Sequence, residues 1–359
     1  MIKNSLKKAI LFKKLPEQTV QCLACKHYCK IGKGEVGICG VRQNIDGTLY
    51  LLVYGKAVAV NIDPIEKKPL FHFLPESKIF SLGTIGCNFA CKFCQNWDIS
   101  QASKGLKIKL AKEDRQDDLD MEIGKMGYEL SPEEIVAYCI KNQIPSIAYT
   151  YNEPAIFFEY TYDTAKLAKK AGIKNVYVSN GYASTEAVDK MSGKLDAINI
   201  DLKSFSEKFY LEICKAKLQP VLDGLKYYFQ KGIWIEITTL LITGKNDSAH
   251  ELKQIADFIA GVSVDIPWHI SKFHPEYQMR DVKTTTDATI EKAYKIGKKA
   301  GLKYVYAGNI YNSKLQSTYC PHCNNLLIER DWGYTDVKNG AKGKCVKCGF
   351  LIPGIWKTS

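Results

Sequence analysis

The sequence predicts an α/β protein built as a partial (β/α)6 TIM-like barrel with a small cysteine-rich metal module on either side. Three observations predict it. From about Ile79 to Tyr306, short apolar runs alternate with amphipathic helical segments, the pattern of βα units around a parallel sheet. Of the 13 cysteines, all but two fall into three tight clusters with metal-ligand spacing. The 359 residues, 46% of them hydrophobic, can bury a sizeable core and exceed one ordinary domain. The expected boundaries are 1–70 for an N-terminal four-cysteine module, 71–312 for the barrel and 313–359 for a C-terminal zinc ribbon.

Taken in order, Met1 to Leu15 sets Lys3, Lys7, Lys8, Lys13 and Lys14 against Ile2, Leu6, Ile10 and Phe12, which predicts a packed first helix in preference to a membrane anchor. Barrel strands are predicted at Ile79–Gly83, Ser146–Tyr151, Lys174–Val178, Leu195–Asp201, Ile233–Thr239, Pro267–Ile270 and Lys303–Tyr306, at a spacing that fits a barrel better than a sandwich. Helix starts carry capping-box signatures at Ser131 with Glu134 and at Ser248 with Glu251. Gly172, Gly232 and Gly301 stand where a left-handed residue closes a helix. Between Ser103 and Leu130 the acidic residues Glu113, Asp114, Asp117, Asp118, Asp120 and Glu122 mark an irregular insertion, read as a solvated spacer rather than a mobile lid.

Cysteines grouped this way point to a reducing compartment and away from a disulfide scaffold. Cys139 and Cys214 stand outside the clusters in helix-like stretches and read as buried, inert thiols. No apolar run approaches the roughly 20 residues that span a bilayer, and the N-terminus lacks the pattern of a secretory signal, so a cytoplasmic protein is expected. The formal charge of +12 favours anionic partners, nucleic acid among them.

The most informative stretch is Gly86-Cys-Asn-Phe-Ala-Cys-Lys-Phe-Cys-Gln-Asn-Trp97. Cys87, Cys91 and Cys94 can hold a [4Fe-4S] cube by three irons and leave the fourth open for a ligand, whereas electron-transfer clusters normally take four thiolates. Zinc is the bland alternative, but it wants a fourth ligand, and no Cys or His lies between Leu74 and Cys139 other than these three. With an aromatic at Phe93, the motif resembles that of the radical S-adenosylmethionine (SAM) enzymes, C-x3-C-x-aromatic-C. The resemblance implies a SAM-chelating iron, an external electron donor and a 5′-deoxyadenosyl radical that abstracts a substrate hydrogen. It also implies SAM contacts at strand ends, where βα barrels carry their sites. Asn152 and Glu153 match the motif for the SAM amino group, Ser179, Asn180, Asp201 and Lys203 the contacts to ribose and carboxylate, and Gly308 and Asn309 the adenine. As ordinary loop chemistry, Asn152-Glu-Pro154 would cap the helix that follows. His274 reads equally as a proton donor, a substrate contact or a structural residue.

Cys22, Cys25, Cys29 and Cys39 form C-x2-C-x3-C-x9-C with His27 inside. Four thiolates suit structural zinc, the preferred reading, or a second, fully ligated [4Fe-4S] cluster. Cys320, Cys323, Cys345 and Cys348 form two C-x2-C knuckles, a zinc-ribbon signal, with Lys338, Lys342, Lys344 and Lys347 favouring an anionic partner. The N-terminal cysteine pattern, the central motif and Pro353-Gly-Ile-Trp356 together resemble the radical SAM member of the AmmeMemoRadiSam system, close to pyruvate formate-lyase activating enzymes. That likeness implies Memo-type and AMMECR-type partners. The leading expectation is an enzyme that modifies a macromolecule, with RNA as one substrate class. The alternatives are a glycyl-radical enzyme activase and a non-catalytic, metal-bearing RNA or protein adaptor.

Overall fold

The structure is a computed structural model that describes residues 6–115, 118–331, 333–340 and 342–357. It divides into two compact units, one of Met1–Ile62 with Ile79–Asp196 and one of Asp63–Lys78 with Ala197–Ser359.

In the first unit the expected N-terminal helix is absent from the described residues, and Met1 to Ser5 lie outside them. Short strands stand in its place. Lys7–Lys8 pairs antiparallel with Thr48–Leu51, and Phe12–Lys14 pairs with Val20–Cys22. The physical reason is the period: Ala9 and Leu11 are buried while Ile10 between them is 45% exposed, an alternation of two that a helix cannot produce. Three parallel strands carry the core: β1 (Lys78–Gly83), β2 (Ser146–Tyr149) and β3 (Lys174–Ser179). β2 is central, with Ile147 beside Phe80 and Tyr149 beside Tyr177.

The segment expected to be irregular holds two helices, α1 (Ala102–Lys112) and α2 (Leu119–Gly124). Leu110, Leu119 and Ile123 are buried, so a sparse apolar face outweighs the charge density, and the described charges pair at the surface, as Arg115 does with Asp118 at 2.8 Å. Asp117 lies outside the described residues. α3 (Pro132–Lys141) starts on a full capping box, Ser131 Oγ accepting from Glu134 N while the Glu134 carboxylate accepts from Ser131 N. α4 (Phe158–Lys170) packs against α3, and α5 (Thr185–Met191) follows β3.

In the second unit β4 (Ala197–Asp201), β5 (Trp234–Leu241), β6 (Trp268–Lys272) and β7 (Val305–Gly308) run parallel in sequence order. The helices α6 (Leu218–Gln230), α7 (Ala249–Val262) and α8 (Asp287–Lys299) alternate with them. The α7 box is only half formed. Ser248 Oγ accepts from Glu251 N, but the Glu251 carboxylate turns away to Ser204 and to Phe205 N. Gly172, Gly232 and Gly301 all have positive φ, as a left-handed helix terminator requires.

A three-stranded antiparallel ribbon completes this unit, with β8 (Thr318–Tyr319), β9 (Leu326–Asp331) and β10 (Tyr334–Val337). Its Leu327, Ile328, Cys320 and Cys345 share a buried cluster with Tyr304 and Tyr306. The architecture is therefore an α/β partial-barrel parallel sheet with a C-terminal cysteine cluster. Cys139 and Cys214 are buried, and burial pushes the Cys139 thiol up to about 12. Among the described residues no helix is long and apolar enough to cross a membrane.

Candidate active site

The loop that leaves β1 carries Cys87, Cys91 and Cys94, of which Cys91 is buried and the other two half-buried. It can form only because Gly86 precedes Cys87. Gly86 has φ +91°, and a Cβ there would lie 2.8 Å from Cys39 O and 2.9 Å from Val41 Cγ1, so both conformation and close approach demand glycine.

Two amides hold the loop. Asn152 Nδ2, just past β2, donates to Gly86 O at 2.8 Å and to Thr84 Oγ1 at 3.2 Å, and Asn96 Nδ2 donates to Tyr151 O at 2.9 Å. Cys94 Sγ lies 3.2 Å from Ser100 Oγ. Phe93 is buried. Lys104, at the start of α1, donates to Phe89 O at 2.6 Å, with its charge close to Cys87, Cys39, Cys91 and Cys94. Burial pushes the Cys87 thiol well up, and the Lys104 charge offsets part of that rise.

At the ends of β2 and β3 the residues expected to meet SAM form one network with this loop. Glu153 is buried and its carboxylate accepts from Ser179 Oγ at 3.0 Å, from Asn180 N at 2.8 Å and from Ala155 N at 3.1 Å. It thus caps the short helix Pro154–Phe157 and ties the two strand ends together. Asn180 Nδ2 donates to Asn88 Oδ1, beside Cys87, at 2.7 Å. In the second unit Lys203 Nζ pairs with Asp201 at 2.8 Å. Gly308 ends β7 opposite Ser271, and Asn309, with φ 61°, donates to Ser271 Oγ at 3.1 Å. His274 is exposed in the loop after β6.

The three cysteine clusters differ in spacing. Among the described residues, one group of three or more possible ligands brings all its donor atoms within 4.8 Å of one another, namely Cys320, Cys323, Cys345 and Cys348. There Cys320 and Cys348 sulfurs are 3.6 Å apart, and those of Cys323 and Cys345 3.7 Å, matching the ~3.8 Å that tetrahedral Zn–S bonds of about 2.3 Å impose. The thiols of Cys87, Cys91 and Cys94 do not gather so tightly. Three soft donors spread around one loop suit an iron-sulfur cube, in which each thiolate takes its own iron, and not a single ion.

Lys104, Asn88 and Thr84 are the site residues that spacing rules missed. Lys104 lies ten residues beyond Cys94 in a charge-rich segment, and nothing in the sequence separates it from the solvated lysines around it.

Residues 82–259 match the description "Radical SAM superfamily". An uncharacterized protein of Methanocaldococcus jannaschii is 41% identical over 326 residues, which cover 90% of this chain and 92% of that one. A proposed glycyl-radical enzyme activating enzyme of the same organism is 27% identical over 197 residues, covering 54% of this chain and 66% of that one. Among solved structures, a radical SAM methyltransferase from Sphaerobacter thermophilus aligns at TM-score 0.47 and 14% identity over 66% of this chain and 67% of its own.

Proposed function

Since this chain belongs to the radical SAM superfamily, we propose that it reductively cleaves SAM to modify a macromolecular substrate, with Cys87, Cys91 and Cys94 holding the catalytic [4Fe-4S] cluster. When bound, that cluster supplies one electron from an external donor to the SAM sulfonium, releasing methionine and a 5′-deoxyadenosyl radical that takes a hydrogen atom from the substrate. The observation that carries the reading is the loop itself, with three separated thiols and the Lys104 ammonium among them.

The chain's own residues position the parts. Asn152 clamps the backbone before Cys87. Glu153 fixes Ser179 and Asn180 at the strand end expected to receive the amino and carboxylate groups of SAM. Asp201 and Lys203 supply a charge pair for the ribose and carboxylate, and Gly308 and Asn309 flank the adenine. The C-terminal ribbon takes zinc.

The N-terminal cysteine module and the Pro353-Gly-Ile-Trp356 ending favour membership of the AmmeMemoRadiSam system, acting in the cytoplasm with Memo-type and AMMECR-type partners. The net charge of +12 and the ribbon favour RNA as the substrate class. A salt titration of RNA binding on filters is expected to show affinity that falls steeply with salt, and salt-independent or absent binding would remove RNA from the reading.

The test of the chemistry is anaerobic. After reconstitution with iron and sulfide, the wild type given SAM and dithionite should form 5′-deoxyadenosine, and Cys91→Ala should reduce it to background. Undiminished product in the variant would overturn the assignment. The 27% identical relative favours a second reading, a glycyl-radical enzyme activase. A glycyl-radical signal in a partner protein after turnover would select it.

A further inference from the structure

Within the first unit a cavity is lined by Cys22, Cys25, Cys29 and Cys39 together with Arg42 and Asn88. We propose that it houses a second [4Fe-4S] cluster, each iron bound by one of these four cysteines, in place of the zinc that their sequence spacing suggests.

The first argument is spacing, with the ribbon as an internal ruler. The ribbon sulfurs gather within 4.8 Å of one another and the N-terminal four do not. A single zinc ion would draw them to about 3.8 Å. A cube places each sulfur on a separate corner iron, with sulfurs on the order of 6 Å apart. The N-terminal set therefore sorts with Cys87, Cys91 and Cys94.

The second argument is the space itself. The cavity has a volume of about 10 Å³, so a water-sized sphere fits with its centre about 3.2 Å or more from every sulfur that lines it. All four cysteines thus face one small space, as the core of a cube requires.

The third argument is the hydrogen-bond inventory. Arg42 and Asn88 are each 1% exposed, and Arg42 Nε and Asn88 Nδ2 have no partner. Buried donors left unpaired are costly. Arg42 is locked by Glu159, which accepts from both terminal nitrogens at 2.8 and 2.9 Å, leaving Nε as the one group of the fork still to be satisfied. A cluster offers inorganic sulfides as well as thiolates to such donors, and N–H···S bonds of this kind tune its potential. Asn88 also joins the cavity to the catalytic loop. It follows Cys87 directly, and its carbonyl lies 3.0 Å from His27 Nε2.

The experiment counts metal in the full chain after anaerobic reconstitution. The wild type is expected to hold about eight irons and about eight sulfides, and the triple variant Cys87→Ala, Cys91→Ala, Cys94→Ala about four of each. On reduction, the triple variant should give a paramagnetic signal unmoved by SAM. A triple variant with no iron and about two zinc ions per chain would overturn the proposal. The wild type tests it even where the triple variant does not fold. About four irons in the wild type, or a reduced spectrum that responds to SAM in its entirety, would overturn it equally. None of these outcomes depends on the substrate or on whether SAM is cleaved.

Discussion

Glu236 lies buried near the start of β5, and its carboxylate accepts from Phe71 N, His72 N and Trp234 Nε1 at 2.9, 2.8 and 3.1 Å, with His269 Nε2 at 2.6 Å. Burial raises its pKa, and these bonds more than reverse that, holding the carboxyl below its ordinary range. Next to it His72 faces the Pro353 carbonyl at 2.8 Å through Nδ1 and the Tyr306 hydroxyl at 2.7 Å through Nε2. A carbonyl only accepts, so the proton belongs on Nδ1 and Nε2 accepts from Tyr306. Burial holds the His72 pKa down to about 4. Because the folded value lies below the unfolded one, the neutral ring contributes stability that is present above about pH 6.5 and lost as pH falls toward 4. The melting temperature should therefore decline across that window, with a loss on the order of 3 kcal/mol at its acid end. His72→Gln should start less stable and show a shallower decline, and an unchanged slope in the variant would assign the acid limb to other groups.

At the scale of elements, Gly86 sets the strongest local constraint. Gly86→Ala adds a Cβ 2.8 Å from Cys39 O at a left-handed φ, a conflict worth about 1–3 kcal/mol of strain. The variant is expected to melt only a few degrees lower yet to lose most of the iron bound by the catalytic loop, measured as iron per chain; full iron retention would show that the loop tolerates the shift. Seven of the eight strands of the main sheet were legible, because a continuous apolar run bounded by glycine or polar residues needs no tertiary information to be read. The eighth, Ala59–Pro64 at the sheet edge, was not, and neither were two further stretches. The residues around Ile10 fit both a helical and an alternating pattern, and pairing with Thr48–Leu51 decides between them. Residues 103–130 carry so much charge that the three buried positions Leu110, Leu119 and Ile123 gave no visible period. The α7 capping box shows a further limit, since Glu251 has the right spacing but a better partner in Ser204. At the site, the cysteine spacings announced the C-terminal group Cys320, Cys323, Cys345 and Cys348 that the structure gathers, but spacing alone says nothing of how closely sulfurs meet. Arg42 and Lys104, the cations beside the N-terminal and central cysteines, look like any other basic residue until burial is known.

For the molecule as a whole, each unit has its own buried residues and its own group of cysteines. In the second unit Cys320 and Cys345 belong to the same buried cluster as Tyr304 and Tyr306, and Arg330 of β9 reaches Thr318 at 2.7 Å and the Phe71 carbonyl at 2.8 Å. Loss of a ribbon cysteine should therefore be felt beyond the knuckles. In Cys345→Ala, amide hydrogen exchange is expected to accelerate by at least tenfold through residues 318–331 and also at Phe71–Leu74, an opening of more than about 1.4 kcal/mol. A change confined to the knuckles would show that the ribbon only rests on that core.

The excursion of residues 63–78 into the second unit also sets a timetable for synthesis. His72 completes its contacts only when Pro353 has been made, 281 residues later. At about 5–20 residues per second that interval lasts roughly 15–60 s. Throughout it Phe73 and Leu74, buried in the finished fold, lack Ile355, to which both pair. A nascent chain stalled before Pro353 would present this apolar stretch to chaperones and proteases, so the segment marks an unfinished copy until Pro353 and Ile355 arrive.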